Sequence, residues 1–336
     1  MTPYANLATE EASQVGAARR EAVAMAKHMG FDDERCGRVA LVVTELGTNL
    51  VRHATRGRLL LGQRRTSGPA CFEVLALDSG PGMADVERCI QDGYTTGGTP
   101  GTGLGAVKRL SDEFAFFSAL GTGTVIVARI AAGVHLERPS AECSFVMSGI
   151  CLAAPGETEC GDGWEVRAAG QNLTVMVADG LGHGPMAAQA SRAATELFAT
   201  AGGAPSVMLE QTHQAIGATR GAAIAMAKLD AREATVTFAG AGNVMGRLVS
   251  GLEDRSLLSQ HGTVGLQIRR IKDVTYPWPD HAIFVMHSDG ITSRWSLANA
   301  GGLLQCDPAV IAGWIIRDHC RGRDDVTVVV IKRRTE

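Results

Sequence analysis

The sequence predicts a chain of two domains, α/β in its first part and α+β, richer in strands, in its second. Three observations carry this expectation. The length of 336 residues is about twice the roughly 150 of a common domain. Two stretches near the start, 13–29 and 34–54, space their apolar residues by three and four, as amphipathic helices do. Segment 131–142, AAGVHLERPSAE, then breaks the pattern with Gly133 and Pro139, and strand-like runs dominate beyond it. The expected division is 1–132, a linker over 133–142, and 143–336.

The elements follow in order. Gly30 stands where a helix C-cap belongs, between the two helices. Apolar runs at 59–62 and 71–77 read as strands, GTGLGAVKRLSDEF (101–114) as a helix, and 124–130 as a strand. In the second part 174–178, 222–229, 234–239, 282–287 and 326–331 read as strands. Helical stretches near 186–200, 205–218 and 308–320 separate them.

Composition narrows the function classes. With 45% hydrophobic and 20% charged residues the chain is expected to fold. A net charge of −3 offers no broad basic surface for nucleic acid. No apolar run reaches the roughly 18–20 residues of a membrane span. The start, MTPYANLATEEASQ, lacks the basic and apolar regions of a signal peptide, so a cytoplasmic protein is expected. Eight cysteines without a CxxC pair read as reduced thiols, and Cys160 as packing. Glycine is abundant: 41 residues, about 12% against a usual ~7%, clustered beside acids and threonines.

Three motifs in the first part suggest a nucleotide site. Glu45, Asn49 and His53 share one helix face, a turn apart. Asn49 can give an oxygen to Mg²⁺ while Glu45 acts as a base, although a solvated helix face shows the same spacing. Asp78-Ser-Gly80-Pro-Gly82 directly follows the apolar run FEVLAL. A carboxylate at a strand end can accept from an exocyclic amine such as adenine's, and glycines let a flat ring approach; a plain turn is the alternative. Gly101-Thr102-Gly103-Leu104-Gly105 opens a helix, where successive N–H groups form an anion cradle suited to phosphates. The run also fits a dinucleotide fingerprint, but it follows a polar loop instead of a strand, so that reading fails.

In this order and spacing the motifs resemble those of the GHKL ATPase superfamily, and 13–130 resembles its RsbT and anti-sigma-factor type of bacterial serine/threonine kinase. The segment DGYTTGGTPGTGLGAVKRLSDEF carries most of that resemblance. It implies an α/β sandwich that binds ATP and Mg²⁺. Asn49 would hold the metal, Asp78 with Gly80 and Gly82 the adenine, a 93–105 lid the phosphates, and Thr124 a further nucleotide contact. Glu45 would be the catalytic base. One departure is the weakness of the N-terminal edge strand, for which only Tyr4 and Leu7 offer residues. His53 reads as a buried or pocket-rim histidine, since no phosphoacceptor hairpin fits ahead of it.

The second part sets acids at strand termini: Asp162, Asp179, Asp289 and the pair Asp324/Asp325. Singly each is a turn candidate. Converging at one sheet edge, they would raise one another's pKa until a hard divalent cation relieved them, and all-oxygen ligation selects Mg²⁺ or Mn²⁺. The motifs PGETECGDGWEV, VADGLGHGPMA, FAGAGNV, HGTVGL, MHSDGI and GRDDVTVVV resemble the metal-dependent type 2C protein phosphatases of the SpoIIE and RsbX branch. That resemblance implies a β-sandwich flanked by helices and two metal ions. Asp179 would bridge them, with the Gly180 carbonyl on one of the two; Asp162 stands where the family has an acidic residue near the first, and Asp289 and Asp324 would serve the second, with Asp325 able to replace Asp324. His183 could be a general acid, a phosphate contact or a loop-shaping hydrogen-bond partner, and Arg220 is a weak phosphate-clamp candidate. The substrate implied is phosphoserine or phosphothreonine on a STAS-type antagonist or scaffold protein, with a sigma or anti-sigma factor as possible partner. Two rivals are a phosphatase whose first domain only binds ATP or a sigma factor, and a non-enzymatic partner-switching module.

Overall fold

The computed structural model describes residues 2–64, 70–84, 103–133 and 144–334. By contacts the chain divides into two compact units, Tyr4–Arg138 with Gln305–Arg317, and Met1–Pro3 with Pro139–Leu304 and Asp318–Glu336. The split expected from sequence kept all of 143–336 together; here the segment Gln305–Arg317 packs with the first unit.

The first unit holds helices α1 (Ala12–His28), α2 (Asp33–His53) and α3 (Gly103–Leu110) and strands β1 (Ala5–Ala8), β2 (Arg58–Arg64), β3 (Cys71–Asp78), β4 (Glu113–Ala119) and β5 (Gly123–Ala131). The strands form one antiparallel sheet in the order β1-β2-β3-β5-β4. α2 begins where the Asp32 side chain accepts from the Arg35 amide, a standard N-cap. Val39, Val42, Val43, Leu46 and Leu50 of α2 and Ala18, Ala22 and Ala26 of α1 pack on Leu59, Leu61, Phe72, Val74, Ala76, Ile126 and Ala128. That is one face of the sheet.

On the opposite face, a side-chain carbon placed on Gly313 would lie 3.0 Å from Leu75 and Leu77 and 3.1 Å from Val125. Trp314 meets Phe117 edge-on at 4.9 Å. The helix that carries them is α6 (Pro308–His319). Every residue from Cys71 to Leu77 is buried, as a largely apolar run covered on both faces requires.

Glu73 interrupts that run at 0% exposure. It accepts from the Tyr4 hydroxyl (2.7 Å) and pairs with Arg129, its neighbour in the β3–β5 ladder. Arg129 also contacts Glu113 and Asp307, each at 2.8 Å.

Two expectations are corrected here. The helix expected over 101–114 ends at Leu110, and Glu113–Ala119 is strand β4. Arg38 donates to the Leu110 carbonyl (2.9 and 2.7 Å) and to Asp112, whose other oxygen accepts from Ala131. These bonds stop the helix, and Phe114 and Phe116 then turn to the helical core while Phe117 turns to Trp314. The weak N-terminal edge strand forms: Ala5–Ala8 pairs with Arg58–Leu61, and the Tyr4 ring lies over Gly62.

The second unit is a sandwich of two five-stranded antiparallel sheets. One has the order β15-β10-β9-β8-β7, from β7 (Asp162–Ala169), β8 (Asn172–Gly180), β9 (Ala222–Asp230), β10 (Thr235–Ala241) and β15 (Val274–Pro277). The other has the order β12-β11-β16-β17-β6, from β6 (Phe145–Leu152), β11 (Met245–Val249), β12 (Asp254–Leu257), β16 (Ile283–His287) and β17 (Val326–Arg333). A short pair, β13 (Gly262–Thr263) and β14 (Gln267–Ile268), forms a separate two-stranded sheet, joined to the start of β9 by the Ala222–Val264 bridge.

Trp164, Val175, Val177, Leu229 and Phe238 of one sheet meet Phe145, Phe284, Met286, Val329 and Ile331 of the other in the core. Helices α4 (Pro185–Phe198) and α5 (Pro205–Ala215) cover the outer face of the first sheet through Ala194, Phe198, Met208 and Leu209. Among the described residues no helix is long and apolar enough to cross a membrane.

Arg129→Met should lower the stability of the first unit by about 3–5 kcal/mol, because it leaves Glu73 buried without a cation. Adding Glu73→Gln should recover part of the loss; an unchanged denaturation midpoint in Arg129→Met would contradict the argument. The acid limit has a sign. Burial pushes the Asp307 carboxyl up, but the hydrogen bonds and charge of Arg129 outweigh it and hold the group below its ordinary value. Its contribution is therefore present above the unfolded pKa near ~3.9 and is lost as pH falls through the lower folded value. Tm measured from pH 5 downward should drop below about pH 4 in wild type, and less steeply in Asp307→Asn.

Candidate active sites

In the first unit, Glu45 and Asn49 lie one turn apart on α2, both half-buried. The start of α3 faces them. A side-chain carbon on Gly103 would sit 3.5 Å from both amide atoms of Asn49 and 3.8 Å from Glu45 Oε2. The structure thus gathers the acid, the amide and a helix N-terminus whose free N–H groups favour anions. Leu104 packs against the helical core and Gly105 is buried; Gly101, Thr102 and most of the expected lid lie outside the described residues.

Asp78 ends β3, opposite Thr124 in the ladder. Its Oδ1 accepts from the Gly80 amide at 2.7 Å. Burial pushes the carboxyl up, against the pull of the Gly80 and Thr124 amides and the charge of Arg317. Gly82 has φ +70°, and a Cβ there would stand 2.3 Å from the Ala119 carbonyl, so only glycine lets this loop close on β4. The Thr124 hydroxyl bonds Ser118 (2.9 Å), whose oxygen accepts from the Met83 amide (2.8 Å). His53 is exposed at the end of α2.

In the second unit Asp162 and Asp179 are direct partners in the β7–β8 ladder, where like charges oppose each other on one sheet face. Asp162 is 4% exposed, and its Oδ2 is buried without a hydrogen-bond partner. Burial and then Asp179 drive its carboxyl well up, with the Ser288 hydroxyl opposing. Asp179 is pushed up to about 7 by burial, then by Asp289, Asp324 and Asp325.

Asp289 is anchored by Asn243 (2.7 Å). Asp324 accepts from the Asp325 amide (2.9 Å). The Asp325 carboxylate accepts from the Ala154 amide (2.9 Å) through Oδ1, while its Oδ2 is buried without a partner. The Gly180 backbone lies so close to α4 that a Cβ would fall 2.2 Å from the Ala187 carbonyl. Among the described residues no three His, Cys, Asp or Glu side chains already close into a metal-binding group. Even so, an all-oxygen donor set with two orphaned buried oxygens, its carboxyls pushed up by burial first and by neighbouring acids second, fits a hard divalent cation.

Other expected residues have defined surroundings. His183 is exposed and its Nδ1 bonds Glu157 (2.7 Å), which clasps the 181–184 loop. Arg220 reaches the same loop, its guanidinium 3.5 Å from where a Gly182 Cβ would be. Cys160 is buried, with its thiol donating to the Leu152 carbonyl (3.3 Å). Asn243, Glu157 and Arg317 were not singled out from sequence. Asn243 lies within the FAGAGNV motif, which was a usable signal, whereas Arg317 meets Asp78 across 239 residues and gave none.

Comparison with known proteins matches each part of the chain to a family. The family described as histidine kinase-like ATPase domain matches residues 8–130, and stage II sporulation protein E (SpoIIE) matches 169–334. Over 112 residues the chain is 37% identical to serine/threonine-protein kinase RsbT of Bacillus subtilis (strain 168), covering 33% of this chain and 84% of that protein. Over 142 residues it is 29% identical to phosphoserine phosphatase RsbX of the same organism, covering 42% and 71%.

A solved structure described under the bacterial stressosome, a modular system adapted to control secondary messenger signaling, aligns with TM-score 0.52 and 25% identity over 56% of this chain and 99% of that one. RsbX in complex with magnesium aligns with TM-score 0.50 and 23% identity, over 60% and 99%, a likeness of fold. The chain therefore belongs to the RsbT-type histidine kinase-like ATPases in its first part and carries a SpoIIE domain of the type 2C phosphatase fold in its second.

Proposed function

We propose that this is a cytoplasmic partner-switching regulator whose second unit removes phosphate from serine or threonine of a STAS-type signalling protein. The observation that carries the reading is the Asp162–Asp179 pair, direct partners in the β7–β8 ladder, with one Asp162 oxygen buried without a hydrogen-bond partner. Asp162, Asp179, the Gly180 carbonyl, Asp289 and Asp324 would hold two Mg²⁺ or Mn²⁺ ions, which when bound supply a water acidic enough to be a nucleophile at neutral pH. Asn243 fixes the Asp289 side chain, and Asp325, with one oxygen bound to the Ala154 amide, orders the strand start from which Asp324 projects. RsbX, which shares the fold, has been solved in complex with magnesium, and this supports a divalent ion in the proposed site.

In the same proposal the first unit binds ATP and Mg²⁺ and phosphorylates a second partner. Asn49 would hold the metal and Glu45 would take the proton of the attacking hydroxyl. Asp78, Gly80 and Gly82 would receive adenine, Thr124 would contact the nucleotide, and Gly101 to Gly105 would cradle phosphate. The face shared by Glu45, Asn49 and Gly103 supports this assignment, as does the RsbT likeness. Opposed activities on one hydroxyl would only consume ATP, so the two units act on different proteins.

Asp179→Asn should cut turnover of a phosphoprotein by more than about 100-fold, the upper end of the cost of losing a mere outer-shell partner. It should also abolish the rise in Tm that Mn²⁺ gives wild type, since binding to the native state stabilises by mass action. Near wild-type turnover in this variant would end the metal-site reading. Asp78→Asn should weaken ATP binding by about 1.5–3 kcal/mol, the worth of a charge-assisted hydrogen bond, and equal calorimetric affinities of wild type for ATP and GTP would contradict the adenine assignment. Glu45→Ala and Asp179→Asn, assayed against a panel of STAS proteins, should lose effects on different targets. Loss on the same residue of the same protein would refute divided targets.

A further inference from the structure

The nucleotide site receives a side chain from the far end of the sequence. Arg317 Nη1 donates to the Asp78 backbone carbonyl at 2.9 Å. Its guanidinium lies over the Trp314 ring, 3.5 Å from the centroid, and Trp314 is itself wedged edge-on against Phe117 of β4. Stacking on an aromatic face orients a guanidinium and lets its in-plane N–H groups donate. At the other end of the same segment, Asp307 is clamped by Arg129. The Arg317 charge also acts on the Asp78 carboxyl, opposing the effect of its burial.

We infer that Arg317 is a positioning residue of the nucleotide site, fixing the end of β3 so that the Asp78 carboxylate stands where it can receive the exocyclic amine of an adenine-type base. The inference rests on the reading that Asp78 receives that base. The role assigned to Arg317 is an indirect one. It acts through Asp78, by a hydrogen bond to its backbone and by charge, so its loss should appear as weaker and less base-selective binding.

The test uses the full chain and calorimetric titration with ATP and GTP. Arg317→Met should weaken ATP binding about tenfold and narrow the preference over GTP, and Arg317→Lys, which keeps the charge, should recover part of both. Asp307→Asn loosens the same segment at its other end and should leave ATP affinity unchanged. On an Asp78→Asn background, Arg317→Met should have a clearly smaller effect, because the carboxylate it supports is gone. Wild-type affinity in Arg317→Met, or an undiminished effect on the Asp78→Asn background, would overturn the inference while leaving the ATP reading standing. A wild-type chain that binds neither nucleotide would overturn both.

Discussion

An ionised Glu73 in the middle of a sheet covered on both faces is tolerable only because Arg129 stands opposite it in the ladder. Removing a carboxylate from water costs several kcal/mol, and a single cation with good geometry and further hydrogen bonds can offset that. Arg129 does so with Glu73, Glu113 and Asp307 at once, while Tyr4 takes the remaining oxygen of Glu73. One side chain thus ties the N-terminal segment, three strands and the 305–317 segment together. The same segment runs on into α6, which packs on Leu75 and Leu77 and sets Arg317 against the Asp78 carbonyl.

The second unit meets the same electrostatic problem without an internal cation. Asp162 and Asp179 oppose each other on adjacent strands, with Asp289, Asp324 and Asp325 near enough to push Asp179 further up. The first unit neutralises its buried acids from within and gains rigidity. The second leaves oxygens unpaired, and so concentrates negative charge that a divalent ion can balance. The buried acids of the two units differ in what stands beside them.

Much of this was legible in the sequence because local periodicity and burial agreed. The spacing of Val39, Val43, Leu46 and Leu50 gave α2, and the apolar run ending at Asp78 gave a strand buried on both faces. The acids at strand termini could be read as one site because a sheet brings strand ends together whatever their separation along the chain. What failed depended on partners far away. β4 was hidden because a helical pattern runs into it, and only the Arg38 and Asp112 bonds end the helix. α6 was foreseen as a helix, but its apolar residues do not say which sheet they cover.

The interleaving of the 305–317 segment also sets an order of events during synthesis. The strands of the first unit are complete once Ala131 has left the ribosome, whereas Asp307 lies 178 residues beyond Arg129. At about 5–20 residues per second that interval is roughly 10–35 s. Throughout it the nascent sheet shows Leu75, Leu77 and Val125 uncovered, with Arg129 lacking one of its acids. The first part of the polypeptide to emerge therefore waits for segment 305–317 before it is finished, and a holdase that shields an apolar sheet would find its client in that window.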